Sequence, residues 1–325
     1  EGLEAGYTAV GEFHYVHHAP DGSPYADPVA TARAMIRAAN QAGVRITLLW
    51  TAYAAGGFGE PLSDRQARFR TPSLDTVRRA LDALGPSADG ERVAIGLAIH
   101  SVRAVPPEWL GPLAAIARER GLPLHAHVSE QPAEIAACRD ATGLSPVALL
   151  AREGVLGPDF TAVHATWLDD EDLSLLQTSG ATVCLCPTTE CDLGDGVPRT
   201  AELFEGGVPL CVGSDSHAVL DPFAELRMVE YQARAATGRR CVLVDEAGAV
   251  GPALLKTGHD HGYRALGLVG SGDVVTLDAN ARVFEGAQDR TAVAMTAGHP
   301  GLVDRVTVCG DTVVEGGRHV ELSSS

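Results

Sequence analysis

Long apolar runs are missing from this 325-residue chain. No stretch of 18 apolar residues occurs, so no membrane-spanning helix is expected. Positive charge is scarce: 25 Lys plus Arg stand against 42 Asp plus Glu, for a net charge of −17. Such a field repels phosphate backbones and anionic lipid, which argues against nucleic acid and membrane surfaces as partners. The seven cysteines are an odd count without dense spacing, as in a reduced, cytoplasmic protein. Cys184-Leu185-Cys186 followed by Cys191 has the outline of a metal cluster, but the first two fall in an apolar strand and no second pair follows. Packing is therefore their expected role. The opening residues, Glu1 to Gly6, carry no Met, no basic region and no apolar core, so they are not a signal peptide.

What remains is an ordinary globular composition, 45% hydrophobic and 21% charged. Strand-like and helix-like segments alternate every 25–35 residues or so between residues 8 and 236, the signal of a parallel sheet with crossover helices. Seven strands are expected, near residues 8, 45, 93, 122, 161, 181 and 209. Gly6 reads as the C-cap of a helix already under way at residue 1. Asp27-Pro28 reads as the N-cap and N1 of a helix to about Gln41, with Gly43 beyond it. Residues 246–266 look helical with a break at Gly258. Segments at 271–278, 303–308 and 312–314 look like strands, the last two a hairpin across Cys309-Gly310-Asp311. The expected organisation is an α/β barrel domain over 1–245, a helical connection over 246–268, and a small β module over 269–325 that is part of a composite sandwich.

Chemistry-bearing residues gather at the expected C-terminal ends of successive strands, where barrel enzymes assemble their sites. His125-Ala126-His127-Val128-Ser129-Glu130 places both histidines on one strand face, with Glu130 three residues beyond His127. Arg103 follows His100, His164 ends the next strand, and Asp215 sits in Gly213-Ser214-Asp215-Ser216-His217. Singly, each has an ordinary structural explanation: a core histidine, a turn cap, a surface charge. Together they point to a metal-dependent hydrolase, because imidazole suits zinc and a nearby carboxylate can carry a proton beside a bound water.

The arrangement resembles the amidohydrolase superfamily. Within it, Gly11 to His18, His100 to Val105, His125 to Gln131 and Gly213 to His217 are similar to the formimidoylglutamate deiminases. The resemblance implies a (β/α)8 TIM-type barrel and hydrolysis of N-formimino-L-glutamate to N-formyl-L-glutamate and ammonia, a step of histidine degradation. It implies one zinc per chain, or another divalent transition metal, with His127 and Asp215 as ligands. Asp215 would also be the general base, Glu130 would move a proton to the leaving nitrogen, and His164 would orient the water. Arg103 would hold a carboxylate of the dicarboxylate substrate, with Tyr15 and His100 nearby. Members of the family are often homodimers. The superfamily's first strand carries a His-x-His pair of ligands that this chain does not show. The expected fold therefore lacks its first βα unit, and reduced zinc binding and turnover are expected. His17-His18 follow a strand that resembles the second, and His259 and His261 are expected on the surface. Two alternatives stay open: a deaminase acting on an aminated heterocycle, and a metal-free remnant serving as a binding scaffold.

Overall fold

A computed structural model describes residues 1–268 and 272–321. Seven strands form one parallel sheet in sequence order: β1 (Ala9–His14), β2 (Arg45–Ala52), β3 (Val93–Ser101), β4 (Leu124–Val128), β5 (Phe160–His164), β6 (Thr182–Leu185) and β7 (Leu210–Val212). Each strand from β2 to β6 pairs with the one before it and the one after, as in a TIM-type barrel. The sheet curls far enough that β1 and β7 line one cavity of about 670 Å³, although they do not pair with each other among the described residues.

The reason for this layering is visible in β2. All eight of its residues are buried, because crossover helices cover one face of the sheet and the curled interior hides the other. The helix Leu74–Leu84 buries Val77, Ala80, Leu81 and Leu84 on one stripe, and Ser73 caps its Thr76 N–H. The helix Asp170–Ser179 starts with a capping box between Asp169 and Asp172. Gly6 does cap the short helix Gly2–Ala5, at φ 106°.

Several expectations shift. The helix after β1 is Ala30–Ala42, so it begins later than Asp27-Pro28 suggested. Asp27 instead accepts the Val29 N–H at 3.1 Å in an Asx turn, a local bond that competes with helix formation. The strands near 160–167 and 208–215 end early, the first at His164, where the backbone turns left-handed through Ala165, and the second at Val212. Residues 246–266 resolve into Val250–Gly258 and Asp260–Leu266, broken at His259. His259 is exposed as expected, but His261 is half-buried, its Nδ1–H donating to the Leu210 carbonyl of β7 at 2.9 Å.

A second, antiparallel sheet has the order β11-β10-β9-β8. Its strands are β8 (Val274–Leu277), β9 (Val303–Val308), β10 (Asp311–Glu315) and β11 (Arg318–His319). The expected hairpin is the β9–β10 pair. The first residue of the strand expected from 271 lies outside the described residues, as do 269–270 and 322–325 of the expected module. A buried ion pair joins this region to the parallel sheet: Arg45 Nη1 lies 3.3 Å from Asp273 Oδ2, and neither side chain reaches solvent appreciably. Asp273 Oδ1 also accepts the Cys309 N–H at 2.8 Å.

Candidate metal centre

The C-terminal ends of β4 and β5 and the loop after β7 bring His127, His164 and Asp215 together. One donor atom from each lies within 4.8 Å of the others. His127 Nε2 is 3.7 Å from Asp215 Oδ1. The expected ligands His127 and Asp215 are thus neighbours, and the ring of His164, expected only to orient water, belongs to the same donor set. Backbone geometry makes the cluster possible. Ser129, His164, Ala165, Asp215 and His217 all have positive φ, between 37° and 71°. Non-glycine residues seldom adopt that region, and such strain gathers at functional sites.

Each ring has a fixed orientation. The Nδ1–H of His127 donates to the His100 carbonyl at 2.8 Å. Its Nε2 is therefore the nitrogen turned toward Asp215, and the one a metal would take up, the usual arrangement behind a metal-bound imidazole. His164 is 1% exposed and faces two acids, with Nδ1 3.4 Å from Glu190 Oε1 and Nε2 3.9 Å from Glu130 Oε1. Burial presses its pKa down, but Glu190, Glu130 and Asp215 outweigh burial and hold it at about 9. Asp215 is held below the ordinary carboxylate range, first by its hydrogen bond with His127 and then by the charges of His127, His164 and His217, against burial. Two imidazoles and one carboxylate, leaving a position for water, match the donor set of catalytic zinc.

Beside this centre stands an aromatic wall. The rings of His127 and His100 are 5.2 Å apart, and Tyr15 meets His100 edge-on at 5.1 Å. Tyr53, 4.6 Å from His100, and Phe69, 5.0 Å from Tyr15, complete it. Burial, reinforced by the positive charges of His127 and Arg103, pushes His100 down to about 3, so it stays neutral. Burial first, then the negative Asp215, raises the Tyr15 pKa, which keeps its phenol protonated. Arg103 and Glu130 line an adjoining hollow of about 190 Å³ with Gly56, Gly57 and Glu134.

Three further histidines, His125, His17 and His18, are held by backbone carbonyls. His125 is buried and its Nε2–H donates to the Ala265 carbonyl at 2.7 Å. His17 stacks on Trp50 at 4.2 Å and bonds the Thr51 carbonyl, and His18 bonds the Arg70 carbonyl. Glu190 and Glu134 were not anticipated. Glu190 is fully buried and accepts the Cys186 N–H at 2.9 Å. Glu134 accepts the Glu130 N–H at 3.0 Å and so pins the turn that carries Glu130. An acid one turn into a helix was the only signal for either, and most such acids are solvated.

Residues 1–270 match the sequence profile of the amidohydrolase family. The chain belongs to that family. A Pseudomonas aeruginosa protein named formimidoylglutamate deiminase is 37% identical over 98% of this chain and 72% of its own length. A Haloarcula marismortui protein named 5-methylthioadenosine/S-adenosylhomocysteine deaminase is 31% identical, covering 88% of this chain and 65% of its own. Among solved structures, an amidohydrolase from Brucella melitensis superposes with a TM-score of 0.90 at 34% identity, covering 98% of this chain and 72% of its own. An adenosine deaminase from Xanthomonas campestris with bound zinc, at 21% identity and TM-score 0.79, covers 98% and 69% and shares the fold. Amidohydrolases generally bind a metal such as zinc, and the donor set described above is where this amidohydrolase would hold it. No helix among the described residues is long and apolar enough to cross a membrane.

Proposed function

We propose that this site hydrolyses N-formimino-L-glutamate to N-formyl-L-glutamate and ammonia, with one zinc held by His127, His164 and Asp215. What supports the reading is the donor set, with the rings of His100 and Tyr15 beside it, in a chain 37% identical to a formimidoylglutamate deiminase. When bound, zinc supplies a positive charge that lowers the pKa of a coordinated water to about 7.

The chain's own residues supply the rest. Arg103, a planar donor fork, binds a substrate carboxylate. Tyr15, protonated, donates a hydrogen bond from the aromatic wall, and neutral His100 packs beside it without adding charge. Asp215, kept ionised, accepts a proton from the attacking water. The water oxygen bonds the formimino carbon while its first proton passes by way of Asp215 and Glu130 to the terminal nitrogen; the proton of the hydroxyl so formed follows it as the carbon–nitrogen bond breaks, so that ammonia leaves with both and the oxygen stays as the formyl carbonyl. His164, charged beside Glu190 in the metal-free chain, would give up the proton on Nε2 to hold the metal, with Glu190 keeping the Nδ1 side of the ring in place. A cytoplasmic location accompanies this reading, in keeping with seven cysteines that are all unpaired.

The second reading, deamination of an aminated heterocycle, is favoured by the Haloarcula relative's name. One experiment separates the two. Zinc content and ammonia release are measured on the purified chain with N-formimino-L-glutamate and with an aminated purine nucleoside. Ammonia from the first substrate alone, at low turnover and with weakly held zinc, is expected. Ammonia from the purine alone would move the reading to the heterocycle, and a metal-free chain silent with both would make it a binding scaffold.

A further inference from the structure

One buried hydroxyl lies behind the turn that carries Asp215. The β6–β7 ladder ends where the Gly213 N–H meets the Leu185 carbonyl at 2.9 Å. Beyond that point the chain after β6 turns into the helix Pro187–Leu193, and the chain after β7 forms the loop 213–217. The loop closes with the His217 N–H on the Ser214 carbonyl at 2.9 Å. Asp215 sits inside it at φ 37°, a region that non-glycine residues hold only when their surroundings fix it.

Thr189 supplies that fixing. It is fully buried in the helix. Its hydroxyl donates to the Ser214 carbonyl at 3.3 Å and accepts the Ser216 N–H at 3.2 Å. The Ser216 hydroxyl, 3.0 Å away, takes its second lone pair. A hydroxyl has one proton and two lone pairs, so all three are spent on the residues either side of Asp215. Its neighbours in the helix serve other groups: Thr188 bonds Glu225, and Glu190 faces His164.

We propose that Thr189 is a positioning residue for the metal centre, its hydroxyl clamping the backbone on both sides of Asp215 so that the carboxylate faces His127. The inference rests on the reading of His127, His164 and Asp215 as zinc ligands. Thr189 acts through Asp215. A ligand already held in its binding geometry spares the ion the cost of ordering it.

The test is zinc affinity, by competition with a chromophoric chelator, in the native chain and in single variants. Thr189→Val keeps the shape, removes the hydroxyl and should weaken zinc binding roughly tenfold or more. Thr189→Ser restores the hydroxyl and should restore most of the affinity. Thr188→Val removes a buried hydroxyl from the same helix and should leave zinc affinity unchanged, whatever it costs in urea stability. Native affinity in Thr189→Val would overturn the proposal, and so would an equal loss in Thr188→Val. The Ser216 amide offers a measurement that needs neither metal nor variant. Although Ser216 is exposed, its N–H should be protected in hydrogen exchange followed by NMR on the native chain. Exchange as fast as in an unstructured peptide would sink the clamp. If the native chain holds no zinc, the zinc reading fails by itself and this exchange decides the proposal.

Discussion

The Nδ1 of His127 lies 2.8 Å from the carbonyl oxygen of His100. A carbonyl can only accept, so Nδ1 carries a proton and Nε2 is the nitrogen presented to Asp215. One backbone bond from β3 thereby sets the ligand state of a β4 side chain. Replacement of the ring, His127→Ala, is expected to reduce zinc affinity at least tenfold to a hundredfold, the range seen even for residues that only support ligands. Dialysis against a chelator followed by metal analysis measures it. Unchanged retention would remove His127 from the donor set.

Glu190 is expected to govern the charge of His164. In Glu190→Gln the amide oxygen can still accept the Cys186 N–H, but the carboxylate that raises the histidine is gone. Burial then dominates, and the His164 pKa should fall from about 9, as read by NMR on the metal-free chain. The stability that charged His164 contributes is present below about 6.5 and lost as pH rises through 9. The stability gap between the native chain and the variant should therefore close between those values. A constant gap would mean that Glu190 acts only through Cys186.

Glu225 is fully buried, and burial, only partly offset by hydrogen bonds from Thr188, raises its pKa to about 7. The folded state thus holds a proton that the unfolded state releases near 4.5. Stability is expected to fall as pH rises from 4.5 to 7, by roughly 3 kcal/mol at this group. Glu225→Gln should flatten that part of the profile in urea unfolding. A variant with the native slope would place the titration elsewhere.

Arg103 is expected to act on substrate binding and not on the metal. Losing a charge-assisted pair costs roughly 1.5–3 kcal/mol, so Arg103→Ala should raise KM for N-formimino-L-glutamate by roughly ten- to a hundredfold with zinc content unchanged. Equal kinetics in both proteins would withdraw the dicarboxylate assignment.

Much of this was legible in the chain itself. Periodic apolar segments and glycine stops foretold all seven parallel strands and the β9–β10 hairpin, because each depends on neighbours in sequence. His127, His164 and Asp215 were visible as chemistry at strand ends. Asp27 misled because its side chain could satisfy a turn as well as a helix cap, and local sequence does not choose between them.

The sequence by itself determined the repeating βα order and the residue types that reach the strand ends, since hydrophobic period and turn chemistry are local properties. Only the tertiary structure decided which of those residues meet. A register shift in the β3–β4 ladder set the carbonyl of His100 against His127, the helix after β6 carried Glu190 beneath His164, and parallel pairing placed Cys211 rather than Cys191 beside Cys184. Those contacts join residues 26 or 27 positions apart, and each exists only because the sheet curls and buries both partners on the same side.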